Sequence, residues 1–220
     1  MNFDPSHCQK HKNTFGKNIS YRLYLVSDER VLQGRDFLKS MEQAIQGGVT
    51  VLQLRHKEGS SKAFYRRAHA LKKITEEYGI PLIINDRVDI ALAVKAEGVH
   101  LGQQDLPVAV ARQLLGPDAI IGASTATLSE AKAAEGEGAD YIGVGALFPT
   151  ATKSNTRSVS LEKLKHIKDS VSIPVVAIGG LTRENIPSAL ATGIEGVAVV
   201  SAILAEEDIR QAAKDLRKID

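Results

Sequence analysis

The sequence predicts an α/β protein built as a single (β/α)₈ TIM barrel, and three features predict it. Eight short apolar runs recur from residue 21 onward, each bounded by Gly, Pro or Asp, as expected of parallel strands buried on both faces. Stretches with helical spacing lie between them, so the chain alternates β then α throughout. The 220 residues suit one compact barrel with short loops, and no composition shift or linker marks a second domain. An open doubly wound sheet is the rival, but no GxGxxG follows the first run to favour it.

In order, the expected strands are LYLVS (23–27), TVLQLR (50–55), PLIIND (81–86), GVHLG (98–102), AIIGAS (119–124), YIGVGA (141–146), PVVAIGG (174–180) and GVAVVS (196–201). The clearest helix is SSKAFYRRAHALKKITEEY (60–78), where the Arg66, Arg67, Lys72, Lys73 cluster reads as a solvated face. LSEAKAAEGEG (128–138) is a second. The weakest unit joins the third and fourth strands, where only residues 88–95 are available; Val88, Ala91, Leu92 and Val94 are expected to face the sheet. Residues 1–20 are polar and read as an N-terminal extension to a barrel domain of residues 21–220. His7, Cys8 and His11 in that extension invite a metal reading, but no second ligand pair follows at useful spacing.

Composition narrows the function classes. A net charge of +2 gives no broad basic field for nucleic acid or an anionic membrane. Five Tyr, five Phe and no Trp offer few stacking platforms. No apolar run nears the ~18 residues that cross a bilayer, and the first twenty residues lack the apolar core of a secretion signal. The single Cys8 makes no internal disulfide, which fits a reducing cytoplasm. A homo-oligomer stays open.

In a barrel of this kind chemistry collects at the C-terminal strand ends. On the second strand Gln53 and Arg55 alternate with Leu52 and Leu54. Setting the leucines against the helices sends Gln53 and Arg55 to the barrel mouth. A guanidinium there needs an anion, either an internal carboxylate such as Asp86 or, favoured at a mouth, a phosphate. Asn85 and Asp86 end the third strand, and Asp105 follows the fourth. Neighbouring strands are ~4.8 Å apart, so the two carboxylates could share one Mg²⁺. Each alone could instead cap the helix that follows. Thr150, Thr152 and Lys153 after the sixth strand offer hydroxyls and a mobile cation, and Lys57 adds another. Glycines end the seventh strand, and Val200 and Ser201 the eighth, where barrels often seat phosphate on backbone N–H groups; tight packing also explains glycine there. His56 and His100 read as structural or peripheral. Tyr24 and Ser27 are placed as pocket-lining candidates.

The stretches YLVSD, GVTVLQLRHKEG, LIINDRVDIALAVKAEGVHLGQQDLP, IIGAST, GADYIGVGALFPTATK, IPVVAIGG and GVAVVSAI together resemble the thiamine-phosphate synthase family. The resemblance runs in order across nearly the whole chain after the extension. It implies a Mg²⁺-assisted transferase that joins 4-amino-5-hydroxymethyl-2-methylpyrimidine diphosphate to hydroxyethylthiazole phosphate, releasing pyrophosphate. It implies that Gln53 holds the pyrimidine and that Arg55, Lys57, Asn85 and Lys153 bind the diphosphate. Asp86 and Asp105 would hold the metal. Ser124, Thr150 and Thr152 would line the reacting centre and the thiazole side, and Gly180 with the backbone of Val200 and Ser201 would seat the thiazole phosphate.

Two departures stand out. The loop after Lys153, SNTRSVSL, is shorter than usual, and His56 replaces a common acidic residue. A related thiazole tautomerase shares the framework but relies on a histidine near the fifth strand end, where this chain has Ser124, Thr125 and Ala126. A non-catalytic phosphate sensor is a third class, with little use for two carboxylates beside several cations.

Overall fold

The structure, a computed structural model, describes residues 19–57, 59–150 and 157–219. Eight parallel strands close into a barrel in chain order: β1 (Leu23–Val26), β2 (Val51–Leu54), β3 (Leu82–Asn85), β4 (Gly98–Leu101), β5 (Ile120–Thr125), β6 (Tyr141–Val144), β7 (Val175–Ile178) and β8 (Gly196–Val199). Pairing of Tyr24 with Ala198 across β1 and β8 completes the ring. The fold expected from the alternation is the one found. Seven paired segments are shorter than their apolar runs because outer residues leave the ladder at the rims, whereas β5 keeps six residues and ends one later, at Thr125.

The helices are α1 (Phe37–Gln46), α2 (Ser61–Glu77), α3 (Val88–Val94), α4 (Val108–Leu115), α5 (Leu128–Gly136), α6 (Leu161–Ser170), α7 (Ile186–Leu190), α8 (Ser201–Leu204) and α9 (Ile209–Arg217). Ser60, Thr127 and Ser160 each accept a backbone N–H of the first turn, which is why α2, α5 and α6 begin where they do. At the seam, a Cβ on Gly47 would lie 2.4 Å from the Arg210 carbonyl, so glycine there lets α9 close on α1.

Two apolar cores result. Leu52, Leu54 and their counterparts pack outward against the helices, while Tyr24, Val51, Ile83, Tyr141 and Val176 fill the bore. A Cβ on Gly122 would fall 2.1 Å from the Tyr141 ring, so that glycine makes room for it.

Two expectations are corrected. In α3 it is Ile90 that is buried, while Leu92 is 39% exposed because it faces an outer hollow beside Leu106 and Leu114 instead of the sheet. The basic cluster of α2 is only partly a solvated face. Lys72 is buried, with Nζ 2.6 Å from Glu97 and 2.8 Å from Glu76, and Arg67 pairs with Glu29 and lies over the Phe37 ring. The His7, Cys8 and His11 cluster lies outside the described residues. Among the described residues no helix is long and apolar enough to cross a membrane.

Candidate active site

The C-terminal strand ends surround a cavity of about 670 Å³, within the range of small-molecule sites. Arg55, Lys57, Asn85, Asp86, Asp105, Ser124, Thr150, Gly180, Val200 and Ser201 all line it. Ten of the sequence-derived positions, from seven different strands or the loops after them, therefore meet at one hollow. Thr152 and Lys153 lie outside the described residues. A second hollow of about 330 Å³ lies outside the barrel between α3 and α4. Leu92, Leu106 and Leu114 line it, and its one lining cation, Arg87, stands against two carboxylates, Asp86 and Asp89, so it is unsuited to a diphosphate.

Arg55 does not pair with Asp86, the internal partner considered from sequence. Its guanidinium sits 3.3 Å from Asp28, a carboxylate also held bidentately by Arg30 at 2.7 and 3.1 Å. Burial pushes the Asp28 carboxyl up, but the Arg30 hydrogen bonds and the charges of Arg30 and Arg55 reverse this and hold it below the usual range. Asp28 thus stays ionised and fixes Arg55 at the rim. The Ser27 hydroxyl, accepting the Arg55 N–H at 3.0 Å, fixes its backbone. Asp28 was missed, although it stands just past a strand end, where such residues collect.

Asp86 is instead the partner of Lys57, at 2.5 Å. Its φ of +63° is left-handed, a conformation aspartate tolerates better than most residues, and it turns the carboxylate toward Asp105. Neither aspartate caps a helix: α3 and α4 begin at Arg87 and Pro107 without a side-chain cap, and Asp105 accepts the Gly102 N–H at 2.6 Å. Burial, then hydrogen bonding and like charge from Asp86, push the Asp105 carboxyl up, against the Gly102 N–H and Lys57. Two carboxylates held together with one nearby lysine leave a surplus of negative charge. These residues fit a hard divalent cation that keeps most of its shell from water and phosphate. Among the described residues no third His, Cys, Asp or Glu joins them.

Gln53 faces inward as expected but does not line the cavity. It is buried one layer below, where its Nε2 donates to the Tyr24 hydroxyl at 2.8 Å. Tyr24 meets Tyr141 oxygen to oxygen at 2.7 Å, Tyr141 meets His100 Nδ1 at 2.9 Å, and His100 Nε2 meets the Ser124 hydroxyl at 2.9 Å. His100 is therefore not peripheral: it supports a cavity residue from beneath.

Arg157 was also missed. It lines the cavity, its carbonyl accepts the Ala146 N–H at 2.9 Å, and its guanidinium grips Glu130 at 2.5 and 2.9 Å. No spacing pattern marks it, since it belongs to an irregular loop. At Gly180, with φ +64°, a Cβ would lie 2.4 Å from the Pro149 carbonyl and 2.6 Å from that of Phe148. Tight packing therefore suffices to explain that glycine, beside any ligand role. Among the described residues each cation of the mouth already faces a carboxylate: Arg55 with Asp28, Lys57 with Asp86, Arg157 with Glu130. The cations are oriented in advance, and the mouth as a whole is not a bare ring of positive charge.

A family model described as thiamine monophosphate synthase matches residues 23–203. The thiamine-phosphate synthase of Alkaliphilus oremlandii is 56% identical over 203 residues, covering 92% of this chain and 97% of that protein. That of Clostridium acetobutylicum is 56% identical over 198 residues, covering 90% and 94%. The solved thiamine phosphate pyrophosphorylase of Pyrococcus furiosus is 43% identical with a TM-score of 0.84, covering 91% of this chain and 95% of that one. Similarity to 3-hexulose-6-phosphate synthase, at 16% identity and TM-score 0.62, reflects the fold alone.

Proposed function

The chain belongs to the thiamine monophosphate synthase family and is a transferase of thiamine biosynthesis, and we propose that its cavity joins the hydroxymethylpyrimidine diphosphate to hydroxyethylthiazole phosphate. The observation that carries this reading is the convergence of Arg55, Lys57, Asn85, Asp86 and Asp105 on one hollow that Ser124 of the neighbouring β5 also lines. The carbon–oxygen bond to the diphosphate breaks with its electron pair leaving on pyrophosphate. The electron-rich aminopyrimidine stabilises the carbon cation left behind, and the thiazole nitrogen captures it. No strong protein base is needed. What the site must supply is fixed charge against the leaving group.

Arg55 and Lys57 meet the diphosphate oxygens, with Asn85 donating beside them, and Lys153 is assigned to the same diphosphate. Asp28 and Asp86 hold the first two cations in place. Asp86 and Asp105 would hold Mg²⁺, which would offset the charge of the diphosphate. Gln53 holds the pyrimidine from below. Ser124 and Thr150 line the reacting centre, to which Thr152 is also assigned, and Gly180 with the backbone of Val200 and Ser201 seats the thiazole phosphate. The enzyme works in the cytoplasm on small molecules alone.

Pyrophosphate release measured with both substrates tests the reading. Release is expected only when both are present and is expected to stop with EDTA. Release that persists without the thiazole phosphate, or that ignores EDTA, would overturn it.

A further inference from the structure

The bore of the barrel holds an unbroken line of hydrogen-bonding side chains from Gln53 to Ser124: Tyr24, Tyr141 and His100, at spacings of 2.8, 2.7, 2.9 and 2.9 Å. Polar groups at this depth are costly unless every proton has an acceptor. Tyr24 and Tyr141 are fully buried, and burial holds both phenols above their ordinary range, so each keeps one proton to give.

Counting protons from one end fixes the rest. The Gln53 amide donates to the Tyr24 oxygen, so the Tyr24 proton goes to the Tyr141 oxygen. The Tyr141 proton then goes to His100 Nδ1. An imidazole that accepts at Nδ1 is neutral and carries its proton on Nε2. That proton points at the Ser124 oxygen, which leaves the serine's own hydroxyl proton free to enter the cavity. Reversing the Gln53 amide would reverse every bond, and Ser124 would then present a lone pair instead. The two ends are coupled, so a carbonyl offered by Gln53 always accompanies a proton offered by Ser124.

We propose that Tyr24, Tyr141 and His100 form a one-way hydrogen-bond relay set at Gln53 and read at Ser124, with His100 and Tyr141 as positioning residues that turn the Ser124 hydroxyl into a donor toward the reacting centre. The relay matches a substrate whose edge gives an N–H at the Gln53 end and accepts a hydrogen bond at the Ser124 end. Gly143 supports the geometry: a Cβ there would lie 3.2 Å from the His100 ring, so glycine leaves the imidazole undisturbed between Tyr141 and Ser124. What Ser124 contributes to turnover rests on the transferase reading, whereas the direction of the relay does not.

Two measurements on the full chain separate these. The ¹⁵N–¹H correlation spectrum of the imidazoles, with His100 identified by its loss in His100→Gln, is expected to show the Nε2–H tautomer alone. Tyr141→Phe is expected to give a tautomer mixture. A wild-type Nδ1–H tautomer, or an unchanged pattern in Tyr141→Phe, would overturn the relay. In kinetics, the Gln terminal amide can reach the Nε2 position and donate to Ser124, whereas the shorter Asn amide sits near Nδ1. His100→Asn is expected to lower kcat about tenfold, the worth of one neutral hydrogen bond, with KM little changed. His100→Gln is expected to recover most of that. Equal losses in the two variants at equal melting temperature would reduce His100 to packing and overturn its positioning role. A wild-type protein with the expected tautomer but no pyrophosphate release would sink the transferase reading while leaving the relay in place.

Discussion

Asp105 carries opposing demands that can be measured apart. Burial and the neighbouring Asp86 push its carboxyl up, so the folded state holds that negative charge less readily than the unfolded chain does. A carboxyl whose folded pKa lies above its unfolded one weakens the fold at every pH above both, and the penalty vanishes below both. Asp105→Asn, whose amide oxygen can still accept the Gly102 N–H, is therefore expected to melt higher than wild type at pH 7 in metal-free buffer. The gap should close as the pH falls through the carboxylate range. Turnover should drop by on the order of 10²-fold, as when a charge-stabilising group is lost. Differential scanning fluorimetry across pH, beside pyrophosphate release, checks both halves. A variant that melts lower at pH 7 would contradict the like-charge account. At this scale much of the site was legible. Arg55, Lys57, Asp86 and Asp105 stand at strand ends, where alternation and position alone single them out. Depth was not legible: Gln53 and Arg55 share one face, yet one lies a layer beneath the mouth and the other reaches its rim.

The strands are pinned at their opposite ends by a device that repeats four times. Thr50, Glu97, Asp140 and Glu195 each stand immediately before an even-numbered strand. Each side chain accepts a backbone N–H near the start of the preceding odd strand: Leu23 at 3.2 Å, Leu82 at 2.9 Å, Ile121 at 2.7 Å and Val175 at 2.8 Å. The three carboxylates are each held by a cation from an even helix, Lys72 on α2, Arg112 on α4 and Lys168 on α6, at 2.6, 2.5 and 2.5 Å. A quarter-barrel of two β/α units is the repeating element, and the charge pair ties its helix to the next pair of strands. Glu97 and Lys72 are the most buried of these pairs. Glu97→Ala leaves the Leu82 N–H without its acceptor and Lys72 with only the exposed Glu76. We expect a loss of about 3 kcal/mol, read as a lower urea midpoint at unchanged m-value. A loss under about 0.5 kcal/mol would reduce the staple to a surface pair. The strands themselves were readable from apolar runs punctuated by Gly, Pro and Asp. The staples were not, because a Lys at one helix position and a Glu 25 residues on look like ordinary surface charge until the barrel closes.

Over the whole molecule these two sets of charges divide the labour between the barrel's ends. At the C-terminal rim, carboxylates orient cations toward a cavity, so the pairs face open space. At the N-terminal rim, carboxylates join cations to strand N–H groups, so the pairs face the fold itself. The separation predicts that activity and stability fall independently. Arg55→Ala leaves Asp28 still gripped by Arg30, so its melting temperature should stay close to wild type while turnover falls on the order of 10²-fold. Glu195→Ala removes the acceptor of the buried Val175 N–H, a loss of about 1–3 kcal/mol that lowers Tm by roughly 2–4 °C per kcal/mol in a domain of this size. Its turnover at 25 °C should stay near wild type, because the change lies at the far end of the strands from the cavity. The double variant should then show the activity of the first and the Tm of the second, since sites that share no partners add. Circular dichroism melts and pyrophosphate release on all four proteins complete the cycle. A double variant that loses markedly more of either quantity than its parents would mean that the strands transmit strain from one rim to the other, and the barrel would have to be treated as one coupled unit.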